Sequence, residues 1–134
     1  MKGLKIAIEK STLENTHFRK VVYTSSHSQL VLMCLQPNEE IGEEIHHQND
    51  QFFRFESGCG SCFIDGNEYA VSDGDAVVIP AGARHNIINT DGKKELKMYT
   101  IYSPAHHQDG IVRKTKAEAE AKENKEEFAG KTTE

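Results

Sequence analysis

The chain has 134 residues and a mass of 15.0 kDa, the size of one domain with a core of its own. Sixteen basic and 21 acidic residues leave a net charge of −5, with no basic excess to hold a nucleic-acid backbone. No apolar run approaches the roughly 18 residues of a membrane span, and the first ten residues lack the apolar core of a signal peptide. A cytoplasmic protein with reduced thiols is therefore expected.

In chain order, residues 1–18 are mixed and read as one edge strand plus a loop. From there to residue 102 the sequence is a succession of short runs rich in Val, Ile, Phe, Tyr and Thr. They predict strands over 20–24, 29–35, 43–47, 51–56, 61–64, 68–71, 76–79, 85–89 and 96–102. Turn clusters separate them, and Asp65-Gly66-Asn67 is a tight hairpin signal. Many short strands at close spacing predict an all-β sandwich or barrel, and the length suits one jelly roll. The barrel is expected over 1–112, with a charged tail over 113–134. That tail holds six basic and six acidic residues, so the negative excess belongs to the body. Its Ala, Glu and Lys favour helix, but apolar positions are too few for a buried stripe. It reads as a solvated helix or a frayed end.

Three cysteines, Cys34, Cys59 and Cys62, cannot form a complete disulfide framework. Cys59 and Cys62 have C-x-x-C spacing, yet residues i and i+3 of a strand face opposite sides, which argues against a shared metal or redox site. The G-x-S-x-G, H-E-x-x-H and G-x-G-x-x-G motifs are all missing, so serine hydrolase, zincin and dinucleotide-binding readings lack support. No helix-turn-helix fits the remaining length.

The chemistry-bearing residues cluster around three histidines. His46 and His47 are adjacent, so strand alternation turns only one of them inward, and Glu44 shares a face with His46. Asp50 and Gln51 open the next run after a short turn, so two antiparallel strands would bring Glu44, His46 and Gln51 together. His85 follows the Pro80-Ala81-Gly82 turn and shares a face with Ile87 and Asn89. Phe53 and Phe55 have the parity of Gln51 and are expected to point inward, with Met33, Ile87, Tyr99 and Ile101 as partners in the core or as pocket lining. On the opposite phase, Phe52 beside Arg54 would face outward as a dimer contact. The segment from Ser103 to Gly110, with His106 and His107, reads as a solvated loop. Tyr23, Tyr69 and Tyr102 read as half-buried strand tyrosines, and Arg84 as an exposed loop residue.

These residues resemble the two motifs of the cupin superfamily. Gly74, Pro80, Gly82, His85 and Asn89 meet every position of G-x5-P-x-G-x2-H-x3-N. In the frame of G-x5-H-x-H-x4-E-x6-G the chain has Asn38, Glu44, His46, Gln51 and Gly58: spacing is intact, with Asn for the first Gly, Glu for the first His and Gln for Glu. The alternative frame, using His47, puts Ile45 at a ligand position. The resemblance implies a jelly-roll barrel in which Glu44, His46, Gln51 and His85 hold one divalent ion. Two imidazoles, a carboxylate and an amide oxygen suit Fe, Mn, Ni, Zn or Co. It further implies a small-molecule substrate, a homodimer, and a metal-dependent isomerase, oxygenase or decarboxylase in which Glu44 is either ligand or general base. The other reading is a metal-free cupin that binds a small ligand without turnover.

Overall fold

The computed structural model of the chain describes residues 1–122 and 125–134. A helix, α1 (Ile8–Glu14), comes first. Nine strands follow: β1 (Arg19–Thr24), β2 (Gln29–Leu35), β3 (Glu44–Ile45), β4 (Asp50–Ser57), β5 (Cys59–Ile64), β6 (Asn67–Ser72), β7 (Ala76–Ile79), β8 (Arg84–Asn89) and β9 (Leu96–Ser103). A short strand β10 (Val112–Arg113) and a helix α2 (Lys116–Lys122) complete the order. The strands form two antiparallel sheets, β10-β1-β2-β9-β4-β7 and β3-β8-β5-β6. This is the expected all-β jelly roll, and nearly every run rich in β-branched and aromatic residues became a strand. None of the described helices is long and apolar enough to cross a membrane.

The core lies between the sheets. Phe53 and Phe55 from β4, Met33 and Leu35 from β2, Met98 from β9 and Ile87 from β8 are all buried there. β2 is buried on both faces, as its unbroken Leu-Val-Leu-Met-Cys-Leu run requires. Part of the outer cover is α1, which replaces the edge strand expected at the N-terminus. Two turns are too short for periodicity to reveal, and so short a helix depends on docking. It packs on β9 and β4, and the Lys97 amine donates to the Leu13 carbonyl at 2.6 Å. Phe52 faces outward beside Tyr99, with ring centroids 6.3 Å apart.

The tail also differs from expectation. Ala119 of α2 is buried, Glu126 is 5% exposed, and Arg113 pairs with Glu126. Residues 126–128 run antiparallel to 106–108: Gln108 donates its N–H to the Glu126 carbonyl at 2.7 Å and Phe128 to that of His106 at 2.9 Å. Composition alone reads as a solvated end because these contacts are made across the fold rather than along a helix stripe. Glu123 and Asn124, within the stretch expected to be helical, lie outside the described residues.

The C-x-x-C pair is split by the pleat: Cys59 is exposed and Cys62 buried. Burial pushes the Cys62 thiol up to about 11. Burial, with a hydrogen bond to Glu95 at 3.2 Å, pushes Cys34 up to about 12. Both stay as inert thiols near pH 8. Iodoacetamide at pH 8 is expected to alkylate Cys59 and spare the other two in the native protein. Labelled Cys62, read by peptide mass spectrometry, would contradict this packing.

Candidate metal centre

Three of the four expected ligand residues are brought together by a short two-strand ladder. β3 pairs with β8 so that Glu44 sits directly opposite His85. His46 follows at the end of β3 and is buried, whereas His47 is exposed, so the fold turns Glu44 and His46 inward in one frame. The His46 carbonyl accepts from Gly82 N–H at 2.9 Å, and Asp50 Oδ1 accepts from Ala81 N–H at 2.9 Å. These bonds tie the loop after β3 to the turn that delivers His85.

The ligating atoms of Glu44, His46 and His85 all lie within 4.8 Å of one another. Glu44 Oε2 is 2.9 Å from His46 Nε2, and the two imidazole centroids are 5.1 Å apart. His85 Nδ1 lies 2.9 Å from the Ala83 carbonyl oxygen. That oxygen can only accept, so Nδ1 carries the proton and Nε2 keeps its lone pair. His46 Nε2 is buried, and the Glu44 carboxylate is its polar neighbour. Gln51 is 2% exposed; its Nε2 donates to Thr100 Oγ1 at 3.0 Å, and its Oε1 is buried with no partner. Orphaned buried acceptors are costly in a folded protein. A divalent ion satisfies such atoms, so the donor set fits one.

Electrostatics agree with that set. Burial alone would raise the Glu44 carboxyl, but the His46 hydrogen bond and the charges of His46, Arg19 and His85 together hold it below its usual value. Burial is the main cause that lowers His85, which favours the neutral, ligating imidazole.

Of the two readings for the inward apolar set, core and pocket lining, the structure shows core. Met33, Phe53, Phe55 and Ile87 are at most 1% exposed and form packed core. Tyr99 and Ile101 lie on the outer face of β9, whose inward set is Leu96, Met98, Thr100 and Tyr102. Lys97 shares the parity of Tyr99 and Ile101, and that was the available signal, since a lysine is costly inside a barrel. A cavity of about 270 Å³ beside the metal ligands is lined by Arg19, Glu44, His46, His106, His107 and Glu126 among others.

His106 and His107 are thus corrected from solvated loop to site wall. His106 packs on His46 with centroids 4.3 Å apart, and His107 Nε2 lies 3.2 Å from the buried Tyr102 hydroxyl. Gln29, 1% exposed, holds their loop. Its Oε1 accepts from His106 and His107 N–H at 3.2 and 3.0 Å, and its Nε2 donates to the His107 carbonyl at 2.7 Å. Local composition shows a turn; the partner that buries it is 77 and 78 residues away in sequence.

Burial pushes His106 down to about 4 and His107 well below its usual value. The unfolded chain takes up those protons near pH 6.5 while the folded one does not, so the unfolded state binds more protons below that pH. Stability is therefore expected to fall as pH drops from 6.5 towards 4. In chelator-treated protein, Tm should decline less steeply over that window in His106→Gln than in wild type. Parallel slopes would contradict a neutral, packed His106.

The comparisons with known proteins agree with the fold and the motifs. Residues 31–102 match the family model described as a cupin domain. A protein of Acanthamoeba polyphaga mimivirus is 44% identical over 80% of this chain and 69% of its own length. YrkC of Bacillus subtilis is 41% identical over 92% of this chain and 69% of its own. The crystal structure of a Bacillus halodurans protein superposes with a TM-score of 0.87 at 40% identity, covering 90% of this chain and 95% of that one. With the family model spanning more than half the chain and both motifs placed in its barrel, the chain belongs to the cupin family.

Proposed function

We propose that this cupin binds one divalent transition-metal ion and acts with it on a small polar molecule. Glu44, His46 and His85 would hold the ion, with Gln51 Oε1 as a neutral fourth donor. The observation that carries this reading is the meeting of the Glu44, His46 and His85 ligand atoms within 4.8 Å, together with a buried Gln51 Oε1 that has no hydrogen-bond partner. Fe, Mn, Ni, Zn and Co all suit such donors. When bound, such an ion polarises a substrate oxygen.

The chain's own residues do the rest. Ala83 fixes the His85 tautomer, and Gln29 holds the His106–His107 wall of the cavity. Glu44 is the one carboxylate of the cluster; it would take a proton only where His46, His85 and Gln51 hold the ion and leave it free. At about 270 Å³ the cavity is near the lower end of small-molecule sites, and its imidazole, carboxylate and guanidinium lining favours a polar substrate. Isomerisation, oxygenation and decarboxylation are the reaction classes in view.

The 2.9 Å contact between Glu44 and His46 supports one other reading, in which a proton takes the place of the ion and the barrel is a metal-free binding module. Titration with Co(II) separates the two. We expect visible absorption bands that saturate at one equivalent in wild type and are lost or shifted in Glu44→Ala. No bands in wild type at any Co(II) concentration would sink the metal reading and leave the proton-bridged one.

A further inference from the structure

Arg19 opens β1 and lines the same cavity as Glu44 and His46. It is 7% exposed, and its Nε has no hydrogen-bond partner. Among the described residues no carboxylate lies within ion-pair distance of it. The contrast is its cross-strand neighbour Arg113, which is neutralised by Glu126. The Phe18 ring, 5.4 Å from the guanidinium carbon, supports the side chain but supplies no counter-charge. Glu44 feels the charge of Arg19 across the cavity but makes no direct pair with it, and a buried cation without a direct partner is costly. Nothing in the packing of β1 needs that charge.

We propose that Arg19 is the subsite for the carboxylate group of a small substrate. Arginine presents parallel N–H groups that match the two oxygens of a carboxylate. A phosphate dianion fits less well, because Glu44, Glu126 and Glu127 border the same cavity, only Glu126 has an arginine of its own, and Arg19 is the one arginine there. Glu44 and His46 share the cavity with Arg19, so a second oxygen function on the ligand would face the metal ligands. The ligand class is then a 2-hydroxy or 2-oxo acid. This second contact rests on the metal reading, whereas the carboxylate contact does not.

The test measures binding of acetate, glycolate and inorganic phosphate by calorimetry, in chelator-treated and Mn(II)-loaded protein, for wild type, Arg19→Met and Arg19→Lys. Acetate is expected to bind both forms of wild type, phosphate more weakly. Arg19→Met should lose about tenfold or more, the worth of a charge-assisted hydrogen bond, with Arg19→Lys in between. Glycolate should exceed acetate only in the loaded form. If the two bind loaded protein equally, the second oxygen contact fails and with it the 2-hydroxy or 2-oxo class, while the carboxylate subsite stands. Equal acetate affinity in wild type and Arg19→Met, or phosphate preferred to acetate, would overturn the proposal. Thermal unfolding without ligand guards against a merely structural role: removing an unpaired buried charge should raise Tm in Arg19→Met, and a lowered Tm would count against the subsite.

Discussion

Asn89→Asp is expected to lower Tm by roughly 10 °C or more at neutral pH, about 3 kcal/mol or more of stability. Asn89 closes β8, is 1% exposed, and spends its whole side chain on backbone. Its Nδ2 donates towards the carbonyls of Leu35, Gln36 and Lys94 at 3.2, 3.0 and 2.9 Å, and its Oδ1 accepts from Asp91 N–H at 3.0 Å. The end of β2, the end of β8 and the turn into β9 are thereby held to one amide. A carboxylate of the same shape turns a donor into an acceptor aimed at three carbonyl oxygens. Protonation would restore one O–H donor, so the folded state should take up the proton more readily than the unfolded chain does. The deficit relative to wild type should therefore shrink as pH falls from 7 to 4.5. A variant within about 1 kcal/mol of wild type in denaturant titrations would show that this amide does not hold the barrel edge.

Gly58→Ala should be of similar size. Gly58 joins β4 to β5 with φ at +90°, where a side chain is strained by about 1–2 kcal/mol. A Cβ there would also lie 2.4 Å from the Glu95 carbonyl oxygen and 3.0 Å from Leu96 Cα. Both are backbone atoms, so the chain entering β9 must move. Since β9 is central in its sheet, the strain cannot be shed at an edge. We expect a loss of roughly 3–5 kcal/mol, in the range of the most damaging single substitutions. An unchanged Tm would mean that β9 can shift freely.

These two residues also show why the fold was legible. Gly58 and Asn89 are fixed by backbone geometry, which leaves a local signature in sequence. The departure at Asn38 is explained in the same terms: its φ is +63°, and asparagine is among the few side chains that tolerate this region. Strand bounds follow from local composition, and Gln29–Leu35 and Ala76–Ile79 match the predicted runs to the residue. The site was only half legible. Glu44, His46 and His85 stand in a motif with fixed spacing. Arg19, His106 and His107 carry no motif and reach the cavity through register and long-range contacts. The phase of β9 was lost because its inward face mixes Thr100 and Tyr102 with Leu96 and Met98, leaving Lys97 as the only clear polarity cue. The helix α1 and the C-terminal segment are held by docking, which no periodicity records.

The metal centre is the claim on which the functional account stands. Its most direct test is metal analysis by mass spectrometry of protein purified without an affinity tag or chelator, alongside Glu44→Ala, His85→Ala and His47→Ala. The account predicts close to one transition-metal ion per chain in wild type and in His47→Ala, and loss of that ion in Glu44→Ala and His85→Ala. A wild-type protein that carries no ion, and takes up none from Fe(II), Mn(II), Co(II), Ni(II) or Zn(II), would contradict it.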